Sequence, residues 1–240
     1  MTETHAIDPA MPSGRLSRFT AFLFGGVVYL TLLFTILYAI GFVSGLVVPK
    51  TVDTGAESGS FEAIVVNLIL MSLFAIQHSA MARESFKHWR APFIPGSVDR
   101  GTHVLCASIA LLLIFWQWRP MPALIWHIQE PEMAMLVATL SFVAWVVVLM
   151  GAFLIDPSEL FDLQQAAGNR AGGRMPTAAF RAPVHQRFFR QPIYPAIVIA
   201  FWATPTMSVG HLLLAAAATA HVFISVLLEE RDPIGASGDA

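Results

Sequence analysis

Residues 191–228 carry no Asp, Glu, Lys or Arg, yet Arg190 stands directly before them and Glu229 and Glu230 directly after. As one α-helix rising about 1.5 Å per residue, the stretch would run to about 57 Å, nearly twice a hydrocarbon core of about 30 Å, so it cannot be a single crossing. It must double back. Pro205 and Gly210 flank Thr206-Met-Ser-Val209 and provide the break for a tight turn between two apolar arms. A hairpin of this kind returns Arg190, Tyr194 and the glutamate pair to one face of the membrane. A cation, a phenol and two carboxylates at the lip of a lipid-buried bundle form a site suited to a charged, polar ligand.

The rest of the chain has the same character. Hydrophobic residues make up 56% of the 240 positions and charged residues 12%, with a mean hydropathy of +0.65, which places the chain among integral membrane proteins. Apolar runs at 19–48, 61–81, 101–118 and 133–155 are each long enough to cross a bilayer. With the two C-terminal arms they predict an all-α bundle of about six membrane segments, or five if the last two form one hairpin unit. The first run is too long for a signal-peptide core and lacks a small-residue cleavage site, so it reads as retained. With the amino terminus in the cytoplasm, only Lys50 and Arg119 among the basic residues fall on the outer side. That bias predicts cytoplasmic N- and C-termini and an even number of crossings.

The domain organisation expected is a disordered cytoplasmic leader at 1–18, one membrane domain at 19–232 and a short tail at 233–240. Trp116, Trp118 and Trp126 read as interfacial belt residues, and 157–191 as the largest cytoplasmic connection. Cys106 is the single cysteine, which excludes an intramolecular disulfide. The histidines show no i, i+4 pair and no HExxH, so no metal site is expected. His78 and His221 are the two placed to face a bundle interior, where a hydrogen-bonded structural role is the default. Walker A, GxSxG and GxGxxG motifs do not occur, which excludes the nucleotide-binding and hydrolase classes that depend on them.

The run His185-Gln-Arg187-Phe-Phe-Arg190-Gln191-Pro192-Ile-Tyr194, followed after the hairpin by Glu229-Glu230-Arg-Asp, resembles the signature of the isoprenylcysteine carboxyl methyltransferase superfamily. Within that group, Phe74-Ala-Ile-Gln-His-Ser79, Leu113-Ile-Phe-Trp-Gln-Trp-Arg-Pro-Met-Pro122 and Phe201-Trp-Ala-Thr-Pro-Thr-Met207 are similar to bacterial methanethiol S-methyltransferases. The resemblance implies a membrane-embedded enzyme that moves a methyl group from S-adenosyl-L-methionine to the small thiol methanethiol, giving dimethyl sulfide. It implies no nucleic-acid partner. It also implies Arg190 and Arg187 as catalytic residues, with His185, Gln191, Pro192, Tyr194, Glu229 and Glu230 at the cofactor.

The residue chemistry agrees. One arginine forks onto a carboxylate, carboxylates hold an ammonium or a diol, and cations favour a thiolate over its thiol. The chain departs from the superfamily pattern where Gln191 replaces histidine, where Asp156-Pro-Ser-Glu-Leu-Phe-Asp162 lacks a second histidine, and where the tail after Asp232 is short. Gln191 keeps hydrogen-bonding capacity but takes no proton near neutral pH. The alternative reading is therefore a family member that has lost catalysis and acts as a binding or interaction protein.

Overall fold

A computed structural model describes residues 15–56, 58–94, 96–153 and 193–231. In chain order they form α1 (Arg15–Ser44), α2 (Ser60–Ala82), the short α3 (Glu84–Arg90), α4 (Gly96–Gln117), β1 (Leu124–His127), α5 (Pro131–Phe153), α6 (Ile193–Trp202), β2 (Thr206–Ser208) and α7 (Val209–Arg231). In α1, α2, α4, α5 and α7, stretches of 19 to 23 residues are long and apolar enough to cross a membrane. The protein is a polytopic helical membrane protein, as the composition requires. α1 begins at Arg15, inside the stretch expected to be leader; the earlier residues, and the connection at 157–191, lie outside the described residues.

α4 packs against both α1 and α2 and is the centre of the bundle. Its aromatic residues explain why. Phe115 stacks on Tyr38 with ring centroids 5.5 Å apart and meets Phe42 at 4.9 Å, and Trp118 sets its edge against Phe42 at 6.1 Å. Trp118 is wholly buried, and its indole N–H donates to the Val52 carbonyl at 3.0 Å. This corrects the reading of Trp118 as a belt residue. The neighbouring Trp116 is exposed and keeps that assignment. In α5, by contrast, only 11% of the most apolar window is buried among the described residues, and apolar exposure of a helix to lipid costs nothing.

At one face, hereafter the strand face, β1 pairs antiparallel with β2, with Trp126 opposite Met207 and His127 opposite Thr206. The segment expected as a simple tight turn is thus a strand that joins the hairpin to the α4–α5 connection. Met121 lies just before β1, and its carbonyl accepts from the Gly210 N–H at 3.0 Å; a Cβ at Gly210 would lie 3.3 Å from the Met121 nitrogen. Glycine is required there for close backbone approach. Ser208 caps α7, its hydroxyl accepting from the His211 N–H at 3.0 Å.

The first arm of the hairpin is not one continuous helix. α6 spans ten residues, about 15 Å of rise, and the approach to the strand face is completed by non-helical chain before Pro205, which disfavours helix at the residue preceding it. Non-helical backbone at such depth needs partners. The Trp126 indole donates to the Thr204 carbonyl at 3.2 Å, the Ile128 N–H donates to the Pro205 carbonyl at 2.9 Å, and His211 Nε2 lies 2.8 Å from the Phe201 carbonyl. His211 and Trp126 therefore serve the backbone.

Candidate functional site

α6 and α7 run antiparallel beside each other. Trp202 Nε1 donates to the Thr219 hydroxyl at 2.8 Å, which ties the end of α6 to the middle of α7. On its other side α6 is antiparallel to α5: Ser141 donates to the Ala200 carbonyl at 3.0 Å, and a Cβ on Gly151 would fall 2.7 Å from the Ile193 side chain. Ile193 and the half-buried Tyr194 thus lie level with the last turn of α5, at the face opposite the strands. Glu229 and Glu230 occupy the last turn of α7, which ends at the same face. Among the residues expected at the site, Tyr194, Glu229 and Glu230 are brought to one end of the bundle. Arg187, Arg190, His185, Gln191 and Pro192 lie outside the described residues.

The same end holds groups that the sequence reading did not assemble. His78 sits in the last two turns of α2, His103 in the second turn of α4 and His221 in the second half of α7. Nδ1 of His78 is 3.4 Å from Nε2 of His103, and the His78 ring centroid is 5.2 Å from that of His221, the two rings nearly perpendicular at 72°. Phe74, one helical turn before His78, closes the group at 5.5 Å from His78 and 5.2 Å from His221. Two buried polar atoms here have no hydrogen-bond partner among the described residues: Nδ1 of His221 and Oε1 of Gln77. Orphaned buried groups cost free energy and are concentrated where a ligand supplies the partner.

Beside the imidazoles lies an ion pair. Arg90, at the end of α3, is 3% exposed; its Nη2 donates to Oδ2 of Asp99 at 2.6 Å, and its Nε lies 2.5 Å from Oδ1. The Phe86 ring lies 5.5 Å from its guanidinium carbon. Asp99 and His103 are four residues apart on α4, so carboxylate and imidazole share one helix face. That i, i+4 spacing was the available signal for His103. Among the described residues no cluster of His, Cys, Asp or Glu has the geometry to hold a metal ion.

At this end of the bundle the start of α6 and the last turn of α7 lie with a cluster of the Phe74, His78, His103 and His221 rings.

Comparison with known proteins gives consistent relatives. The chain is 47% identical to methanethiol S-methyltransferase 1 of Bradyrhizobium diazoefficiens over 237 residues, covering 99% of this chain and 83% of that protein. It is 43% identical to methanethiol S-methyltransferase of Mycobacterium tuberculosis, covering 93% and 92% of the two chains, and 42% identical to methanethiol S-methyltransferase 2 of B. diazoefficiens, covering 92% and 85%. No family model and no solved structure matches.

Proposed function

Because the chain belongs to the methanethiol S-methyltransferase family, we propose that it transfers the methyl group of S-adenosyl-L-methionine to methanethiol, releasing dimethyl sulfide, at the end of the bundle where α7 terminates. The observation that carries this reading is the hairpin itself: α6 and α7 turn back through β2, so the start of α6 and the glutamate pair share one face. S-adenosyl-L-methionine supplies a methyl group on a sulfonium that an incoming sulfur displaces in line.

The chain's contribution is to hold and orient. Arg190 forks onto the methionyl carboxylate, and with Arg187 it supplies a positive field that favours the thiolate. Glu229 and Glu230 accept hydrogen bonds from the ribose diol and the ammonium. Tyr194, His185, Gln191 and Pro192 complete the cofactor wall. Gln191 acts as a hydrogen-bonding group and not as a base. Rate enhancement comes mainly from fixing sulfur against carbon in a water-poor recess, so no covalent enzyme intermediate is needed. Methanethiol is small and apolar, and it reaches the recess through the lipid. The basic-residue bias supports a cytosolic location for this face, where the donor is made, in a bacterial cytoplasmic membrane.

The test is direct. Membranes bearing the protein, supplied with S-adenosyl-L-methionine and methanethiol, release dimethyl sulfide measurable in the headspace by gas chromatography. No product together with no donor binding by isothermal titration would overturn the reading in favour of a non-catalytic family member. Glu230→Gln weakens donor binding about ten- to a hundredfold, the loss expected for one charged hydrogen bond, with the folded yield unchanged.

A further inference from the structure

The histidine cluster lies deeper than the residues assigned to the donor. Along α7, His221 precedes Glu229 by two turns, about 12 Å, which is within the length of an adenosyl-methionyl ligand. A donor anchored at the glutamates with its methyl group directed inward therefore presents the sulfonium near the Phe74, His78 and His221 rings. The acceptor arrives as a neutral thiol and must lose a proton to become a good nucleophile. Neither Arg187 nor Arg190 takes a proton and Gln191 has no titratable group, while His185 and the two glutamates are assigned to holding the donor. The reaction needs an acceptor in the recess, and His221 Nδ1 is a buried ring nitrogen with no partner among the described residues.

Resting on the methyl-transfer reading above, we propose that His221 is the catalytic base that removes the thiol proton, with His78 and His103 as positioning residues that hold the resulting positive charge. As the S–H bond breaks, the proton goes to Nδ1 of His221. The thiol's electron pair forms the new C–S bond, and the C–S bond to the donor breaks with its electrons left on the donor sulfur. The donor sulfonium becomes a neutral thioether while His221 becomes an imidazolium. The recess therefore holds one positive charge before the step and one after it.

In a low-dielectric site this matters, because moving a charge costs far less than creating one. The His78 ring stands nearly perpendicular to His221, centroids 5.2 Å apart, beside the new imidazolium, and its hydrogen-bonding contact with His103 at 3.4 Å leads toward Asp99. Among the described residues, the charged and titratable groups around the cluster are His78 on α2, Lys87 and Arg90 on α3, Asp99 and His103 on α4, and His221 on α7. Arg90 is bound to Asp99, so the carboxylate balances it.

The experiment compares two acceptors, methanethiol and methaneselenol; the selenol is already ionised at neutral pH and needs no base. His221→Gln should still bind S-adenosyl-L-methionine measurably and lose no more than about tenfold in kcat/KM for methaneselenol. Its kcat/KM for methanethiol should fall by about 10²- to 10⁴-fold, the usual contribution of a general base. His78→Gln should shift the pH profile for methanethiol while leaving the selenol profile in place. Equal losses with both acceptors at retained donor binding, or no loss with either, would overturn the assignment.

Two measurements on the unaltered protein stand even if the variants do not fold. kcat/KM for methanethiol should fall at acid pH on a single protonation that is missing for methaneselenol. ¹⁵N-histidine NMR without donor should find a buried histidine with an unprotonated Nδ1 and one proton shared across the cluster on acidification. Identical acid limbs for the two acceptors, or three independent histidine titrations, would sink the proposal. An unaltered protein that binds no donor and methylates neither acceptor would instead remove the methyl-transfer reading on which it rests.

Discussion

Asn67 shows what a single polar residue does inside an apolar bundle. It is wholly buried in α2 and pairs through both ends of its amide with Arg119, its Nδ2 donating to the Arg119 carbonyl at 2.8 Å and its Oδ1 accepting from the Arg119 N–H at 2.9 Å. The side chain substitutes for a strand neighbour where α4 has ended and the backbone has lost its helical partners. Asn67→Ala leaves both Arg119 groups unpaired, and thermal unfolding in detergent should show a loss of about 1–3 kcal/mol, whereas an exposed Asn would cost almost nothing. Lys50 behaves differently. Its ammonium donates to the Trp116 carbonyl at 2.5 Å, and burial, then the Arg119 charge, hold it below the ordinary lysine value of 10.5. The unfolded chain binds that proton more tightly, so this group makes stability rise with pH across the interval between its folded and unfolded values. Lys50→Met should flatten that rise in a series of melting curves at increasing alkalinity.

At the scale of elements, the ends of the helices are set by local chemistry that is plain in retrospect. α1 stops at Ser44 because Gly45 adopts a left-handed conformation, φ 72°, and the Leu46 N–H turns back to the Gly41 carbonyl at 3.1 Å. Gly45→Ala should cost about 1 kcal/mol in a chemical-denaturation midpoint, although a Cβ there meets no neighbouring atom, because the penalty is one of backbone conformation. The hairpin carries the same lesson in reverse. Length and charge required the last apolar stretch to fold back, and Pro205 and Gly210 located the turn. Residue spacing did not reveal that the turn pairs with Leu124–His127, nor that Trp126 and His211 satisfy the carbonyls of the non-helical approach. Those partners lie tens of residues away along the chain, and only the assembled bundle brings them together.

For the whole molecule, the uneven placement of basic residues predicts an orientation that cysteine labelling tests. In a Cys106→Ala background, Glu130→Cys at the strand face should react with an impermeant maleimide in intact cells, and Lys87→Cys at the opposite face should react only after permeabilisation. Reaction of both in intact cells would put the donor site on the wrong side of the membrane. The sequence alone determined the class and the doubling back of the final third, because hydrocarbon thickness limits how many apolar residues one crossing can hold. It also named Tyr194, Glu229 and Glu230 as neighbours at one end. The tertiary structure decided the rotation of each helix about its axis. These helices are apolar on every side, so their patterns do not mark an inward face, and only packing turned Trp118 into the core and gathered His78, His103 and His221 around Phe74.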